Sequence, residues 1–554
     1  MPSCRHCSQA FETTDRDQEF LEKLSPAIGG KKQSLPPPTL CPRCRQQRRW
    51  SFRNERVFYH RKCDLTGKQL ISIYPSGSRH TVYDAAEWWS DRWDPLSYGQ
   101  PFDSSRTFFE QFHELLLKVP RLNLFGKGNE NSMYTNHTDQ AKNSYLCIDV
   151  AFGEDVFYSK YVINGKNCVD CFMTSRSELC YETTYTEGYN CIETHLSTGV
   201  SDSAFLYNCK GCHHCLLCWN LRDKSYCIEN KQYSKEEYER KMHEVNLGSY
   251  KQYAAIKERF ESLLLHVPRQ AIRMINAEDC VGTCQNSKSV TDSFDMGDCR
   301  DCRYCYDCVA ITDCMDVYES GFQCELQYET HACNRGVRYI GCNICYDSHD
   351  LLYCDLCHNS HDLFGCVGLR QKEYCILNKQ YTKEEYEELV PKLIAHMRST
   401  GEWGEFFPVG NSPYAYNETI AQDECPLTKE KVLREGWQWY EEGKPEESYM
   451  GPSVTLPDDI SETGNDVLKK ILTCARTGKH YKLIAQELDF YRRMRIPVPR
   501  LCPDERYRDR MKIRGPQMLW ARTCMKCGKD IRTTYAPERP EIVYCNECYL
   551  ASVY

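Results

Sequence analysis

Long apolar runs are missing from this 554-residue chain. No stretch approaches the roughly 20 consecutive apolar residues that a bilayer-spanning helix needs, so no membrane partner is expected. The opening residues MPSCRHC hold neither the basic nor the apolar region of a secretory signal, which sets the expectation of a cytoplasmic protein. A glycine–lysine loop that cradles phosphate, an HExxH zinc-protease motif and a nucleophile elbow are absent as well. With no catalytic residue to name, neither an enzyme nor a small-molecule substrate is expected. Positive charge is not in excess: 70 Lys and Arg face 78 Asp and Glu, a net charge of −8. That balance argues against a general binder of polyanions.

What the chain does have is cysteine, 37 of them. Thiols stay reduced in a cytoplasmic protein, so these read as metal ligands or as small buried residues. The odd total also fits poorly with a complete set of internal disulfides. Two places carry paired knuckles. Cys4-x-x-Cys7 is followed by Cys41-x-x-Cys44, and Cys524-x-x-Cys527 by Cys545-x-x-Cys548. Each set supplies four thiolates for a tetrahedral structural site, so two Zn²⁺ ions are expected. Partial copies accompany them. Around Cys474 and Cys502, Thr477 and Glu505 stand where ligands would be, and the segment after Cys63 keeps only that cysteine. Each end therefore reads as two zinc-ribbon modules, one with metal and one without.

The middle repeats. CWNLRDKSYCIENKQYSKEEY (Cys218–Tyr238) recurs as CVGLRQKEYCILNKQYTKEEY (Cys366–Tyr386), 148 residues later. The same offset carries FHELLLKVPR onto FESLLLHVPR and Cys209 onto Cys357. Short strand-like pieces recur every 22 to 24 residues in the first copy, close to one solenoid coil made of two half-coils. A period of twelve shows from Asn343 to Asn378. The predicted fold is mixed and mainly β: a duplicated cysteine-rich β-solenoid with capping helices, flanked by N- and C-terminal zinc-ribbon pairs. The capping boxes Ser234-x-x-Glu237 and Thr382-x-x-Glu385 start two of those helices.

The predicted boundaries run as follows. An N-terminal ribbon with its basic segment spans 1–62, a metal-free ribbon 63–101 and a helix 102–131. The first solenoid lobe spans 132–233, a helical segment 234–279 and the second lobe 280–381. A capping helix at 382–400, a linker at 401–470, a degenerate ribbon at 471–515 and the C-terminal ribbon at 516–554 complete the chain.

In CKGCHHCLLC (Cys209–Cys218) and CRDCRYCYDC (Cys299–Cys308) cysteines step by three. An iron–sulfur run would end on a longer step and a proline, which these lack. Under the 148-residue offset, Cys168 and Cys171 fall on Asp316 and Glu319, so most central cysteines are not kept as sets. They read as a ladder of small packed thiols. Further zinc, with His213, His214, His349, His358 or His361, and a cluster are the alternatives.

Charge is unevenly spread. Arg43 to Lys62 holds eight Lys/Arg against one acid, and Arg492 to Arg532 thirteen against four. Ala277 to Ile376 reverses this, with seventeen acids against seven bases. Arginines interleaved with aromatics beside a zinc knuckle are suited to phosphates and stacked bases. Arg45, Arg48, Arg49, Arg53 and Arg56 with Trp50 and Phe52, and Arg506, Arg508, Arg510 and Arg514, are the candidate nucleic-acid contacts. A helix with its apolar residues inward and its arginines in water is the plainer reading of the same segment.

CPRCRQQRRWSFRNERVFYHRKCDLTGK, WWSDRWDP, NKQYSKEEY and TTYAPERPEIVYCNECY resemble a known family, the large cysteine-rich zinc-ribbon proteins of candidate-phyla bacteria with reduced genomes. The resemblance runs nearly end to end. It implies the ribbon architecture and a cytoplasmic bacterial setting, and it implies no activity. The expected job is therefore non-enzymatic binding, of RNA or a ribonucleoprotein through the basic ribbon ends. A protein-interaction scaffold using the acidic solenoid face, and redox or metal buffering by the central thiols, are the alternatives.

Overall fold

A computed structural model describes residues 1–441 and 454–553. The linker expected at 401–470 thus includes residues 442–453, which lie outside the described residues. The fold is mainly β. Two eleven-stranded sheets form the solenoids, one running from Gly126–Lys127 to Lys231–Gln232, the other from Met274–Ile275 to Lys379–Gln380. Apart from the antiparallel hairpin that ends each sheet, their strands pair in parallel, and most neighbouring partners are twelve residues apart. Lys160 pairs with Phe172, Cys168 with Cys180, and Leu351 with Leu363. One coil is therefore twelve residues. The 22-to-24-residue spacing read from the first copy is two coils, not one.

The backbone explains the short coil. Nearly every third solenoid residue has a left-handed φ near 50°: Asn131, Tyr134, His137, Gln140, Asn143, Leu146 and Asp149 open the series. A turn at each third residue closes four short sides in twelve residues, and each side points one residue inward. The inward series Cys209, Cys212, Cys215, Cys218 lines one whole coil, and all four are 0% exposed. So do Cys299, Cys302, Cys305 and Cys308. The step of three cysteines is the step of the coil.

Left-handed conformation costs an L-residue about 1–2 kcal/mol, and Asn and Asp bear it best. Hydrogen bonds between coils offset that cost. Asn143 N donates to Glu130 O on the preceding coil at 3.0 Å, and Tyr145 N to Val156 O on the following one at 3.0 Å. So narrow an interior selects small residues, and cysteine, serine, threonine and valine fill it. Inward serines also take an amide from the next coil: Ser159 Oγ accepts from Cys171 N at 2.9 Å and Ser203 Oγ from Cys215 N at 3.0 Å. Tyr339 is a large exception. It fits because the preceding inward residue is Gly336, where a Cβ would lie 2.3 Å from its ring.

The chain forms two compact units, each drawn from segments distant in sequence. Met1–Leu124 joins Ile272–Glu441 and Gln517–Leu519. Phe125–Ala271 joins the described residues of Glu442–Pro516 and Trp520–Tyr554. The N-terminal cysteine set thus belongs with the second solenoid, and the C-terminal set with the first. Residues 401–441, expected as linker, are folded into their unit: Trp403, Phe406 and Phe407 are buried. Glu402 caps the helix Phe108–Lys118, accepting from Phe108 N at 3.0 Å and Phe109 N at 2.7 Å. The expected capping boxes form at Ser234 and Thr382. Among the described residues no helix is long and apolar enough to cross a membrane.

Candidate metal centres and the arginine ladders

Both four-cysteine sets assemble. The sulfurs of Cys4, Cys7, Cys41 and Cys44 lie within 4.8 Å of one another, and so do those of Cys524, Cys527, Cys545 and Cys548. Each set can hold a metal ion. Local hydrogen bonds shape the knuckles: Ser8 N donates to Cys4 O, and Gly528 N to Cys524 O, both at 2.9 Å. The second pair of each set opens a helix, Pro42–Trp50 after Cys41 and Asn546–Val553 after Cys545. Amides also point at sulfur, from Cys41 N to Cys4 Sγ and from Cys545 N to Cys524 Sγ, each at 3.2 Å. Burial pushes the Cys524 thiol up, but the amides of Cys545, Cys527 and Lys526 outweigh it and bring its pKa down to about 6. Donors aimed at a sulfur favour the thiolate, the form that binds metal.

The two partial copies keep the knuckle without the ligands. Gly67 N donates to Cys63 O at 2.8 Å, and Gly478 N to Cys474 O at 2.9 Å. In the second copy an ion pair bridges what a metal would bridge. Arg476, in the knuckle, reaches Glu505 at 3.0 Å and Asp509 at 2.9 Å on the helix Pro503–Arg514.

The central cysteines make no third centre of this kind. Among the described residues no three of them bring their sulfurs within 4.8 Å of one another. Most sulfurs lie instead beside backbone carbonyls, as Cys209 Sγ does beside Tyr207 O (3.6 Å) and Cys218 O (3.7 Å). Burial pushes Cys147, Cys299 and Cys375 up to about 12 and Cys314 up to about 11, so these are neutral thiols. Enclosed and protonated, these four thiols are poor nucleophiles and poor metal ligands.

Most of the candidate nucleic-acid contacts are not at the surface. Arg45, Arg48, Arg49, Trp50, Phe52 and Arg53 are buried, as are Arg506 and Arg510. The arginines meet solenoid carboxylates. Asp316 accepts from Arg45 Nε at 2.7 Å and from Arg49 Nη2 at 3.0 Å. Glu329, on the adjoining coil, accepts from Arg49 Nη1 and Arg48 Nη2, both at 2.6 Å. Glu405 takes the other nitrogen of Arg48 at 2.7 Å, and Arg53 pairs with Glu55 and Glu319. Trp50 packs edge-on against Tyr306 and Tyr318, and Phe52 against Phe406. These rings are core, not stacking platforms.

The other unit repeats the scheme. Arg506 and Arg510 share Asp170, at 2.5 and 2.8 Å, and Arg510 also reaches Glu182 on the next coil at 3.4 Å. Arg45 and Arg49 sit four and eight residues after Cys41, as Arg506 and Arg510 do after Cys502. The geometry accounts for the recurrence. Residues four apart on a helix rise about 6 Å, close to the roughly 4.8 Å between coils, so one helical face matches successive rungs. Forked guanidiniums on carboxylates are strong, oriented pairs.

Arg45, Arg48, Arg49, Arg53, Arg506 and Arg510 are withdrawn from water onto buried carboxylates, most of them on the acidic coils. Arg56 is partly exposed and pairs with Asp423 at 3.3 Å; Arg508 is exposed beside Glu505; Arg514 is partly exposed, its Nε donating to Gly515 O at 3.3 Å. The carboxylates Asp316, Glu329, Glu405, Asp170 and Glu182 were missed from sequence. Their available signal was the arginine pair at one fixed distance from a ribbon cysteine at both ends, set against acids twelve residues apart such as Asp170 and Glu182.

No family model and no curated relative matches the chain. Among solved structures, one titled as an acetyltransferase from Desulfovibrio desulfuricans aligns at 8% identity, over 50% of this chain and 82% of its own. Its TM-score is 0.10, and it carries no argument about fold or activity.

Proposed function

We propose that the protein is a non-enzymatic scaffold, stabilised by two zinc ions, that binds a protein partner on open solenoid faces. The metal assignment is supported by sulfur spacing. Zn–S bonds of about 2.3 Å in a tetrahedron place sulfurs about 3.8 Å apart; Cys7 and Cys41 are 3.7 Å apart, and Cys527 and Cys545 3.8 Å. Four protein ligands close each site, so the zinc supplies folding free energy and not an open position for chemistry.

The observation that carries the partner assignment is the burial of the arginine ladders. Six of the nine arginines named as RNA contacts, Arg45, Arg48, Arg49, Arg53, Arg506 and Arg510, are engaged inside the molecule. The open columns carry mixed charge instead, as in Glu130, Lys142, Glu154, Lys166 and Glu178 on successive coils of the first solenoid. Regular, flat, mixed-charge columns suit a protein surface of complementary pattern. The test is affinity capture with the full chain from nuclease-treated lysate of the native host, followed by a salt titration. One protein retained stoichiometrically and released by salt supports the reading. Capture that disappears on nuclease treatment, with salt-sensitive RNA retention by filter binding, would overturn it in favour of RNA.

A further inference from the structure

The two four-cysteine sets are alike in sulfur spacing and unlike in how the molecule holds them. In the N-terminal set Cys4, Cys41 and Cys44 are buried and Cys7 is exposed. In the C-terminal set Cys524 and Cys545 are buried, Cys527 is exposed and Cys548 is half-buried. A cleft lined by Arg5, His6, Gln47 and Trp437 reaches Cys44, yet leaves it 8% exposed. The last ligand of each set rides on the helix that follows, and the helices differ more than the ligands do. Pro42–Trp50 buries six of its nine residues. Its Arg45, Arg48 and Arg49 reach the carboxylates of Asp316 and Glu329, and Trp50 packs on Tyr306 and Tyr318. Asn546–Val553 buries one of its eight residues, Tyr549. Tyr549 Oη donates to Asn220 Oδ1 at 3.2 Å and Gln270 Nε2 to Asn546 Oδ1 at 2.9 Å, neutral bonds where the other helix has buried ion pairs.

We propose that the C-terminal set is a zinc-exchange site, open to a competing ligand with nitrogen or sulfur donors, while the N-terminal set retains its ion. The inference rests on the reading of both sets as zinc centres. A site closed by four protein ligands exchanges by substitution: an incoming donor bonds to the metal as one thiolate leaves, and that thiolate takes a proton from water. Cys527 and Cys548 can be approached from solvent, and Cys548 can swing away on a helix held by a single buried side chain. Local opening is easiest where few buried contacts must break. Cys44 cannot leave in this way without drawing Arg45, Arg48 and Arg49 off Asp316 and Glu329, and charges unpaired away from water are costly. Cys7 is exposed, but the three ligands beside it stay fixed, so its bond re-forms before a competitor takes the ion.

The test uses the full chain, purified anaerobically, with its zinc counted by elemental analysis. Excess pyridylazo-resorcinol is added, and its absorbance reports released zinc. Two phases of one ion each are expected, separated at least about tenfold in rate. Cys548→Ser should abolish the fast phase and leave the slow one. Asp316→Asn, which unpairs Arg45 and Arg49, should quicken the slow phase and leave the fast one. On the unaltered chain, N-ethylmaleimide under native conditions should label Cys527 and Cys548 in step with fast release, read by peptide mass spectrometry, and Cys41 and Cys44 only later. Two ions leaving in a single phase, a fast phase that survives Cys548→Ser, or first labelling of Cys41 or Cys44 would overturn the exchange site while sparing the zinc reading. A chain that holds no zinc overturns both.

Discussion

Asp316→Asn tests the arginine ladder most directly. The carboxylate is fully buried and serves two guanidiniums, with one oxygen on Arg45 and the other on Arg49. Asparagine keeps the shape but turns one acceptor into an amide donor facing an arginine. Removing one partner of a buried ion pair costs about 3–5 kcal/mol, because the remaining charge stays desolvated. Against a domain stability of about 5–15 kcal/mol, that is a large fraction. Urea unfolding should show a lower midpoint. The change should also loosen the N-terminal ribbon, read by limited proteolysis within residues 1–62 and by loss of zinc from Cys4/Cys7/Cys41/Cys44. Added salt should change little, since buried pairs are weakly screened. Asp170→Asn should behave alike at the C-terminal end. A stability change below about 1 kcal/mol, with unaltered proteolysis, would refute the idea that this ladder docks the ribbon. Arg45→Met with Asp316→Leu should recover only the share of the loss that falls on Arg45, since Arg49 keeps Glu329 but still lacks Asp316.

Anaerobically purified protein should contain two zinc ions per chain, and Cys527→Ser should lose one of them while destabilising only the C-terminal end; stoichiometric iron with acid-labile sulfide would refute this assignment. Cys366→Ala should cost about 1–2 kcal/mol as a small cavity and leave the zinc content unchanged; loss of metal would show a ligand. A pH effect is expected at Glu193, which accepts from Tyr253 at 2.8 Å and pairs with Lys257. Burial raises its pKa, but Lys257 and His195 outweigh burial and hold it down at about 2 against an ordinary 4.5. The folded-state value lies below the unfolded one, so the contribution is present above pH 4.5 and lost as pH falls toward 2. Glu193→Gln should therefore lose about 2 kcal/mol less than wild type between about pH 6 and pH 3 in urea unfolding, and an unchanged pH slope would count against this pairing.

The ribbon sites were legible because their information is local. Cys4-x-x-Cys7 and Cys545-x-x-Cys548 each form a turn whose hydrogen bonds span a few residues, and only the pairing of knuckles needed the fold. The solenoid was legible from its repeats, as were the inward positions of Cys209, Cys218, Cys227, Cys357, Cys366 and Cys375, all buried. The coil length was visible as the period of twelve from Asn343 to Asn378 but was read as half a coil. It is set by left-handed turns at residues such as Tyr134, Leu146 and Phe152, whose side chains announce no such conformation; stacking against the next coil imposes it. The tertiary structure alone decided what the arginines do. Arg45 and Asp316 are 271 residues apart, and Arg506 and Asp170 are 336 apart. A basic segment and an acidic segment read separately look like two binding surfaces. Folded together they are the two halves of one buried contact, because desolvated charges must find partners wherever the chain supplies them.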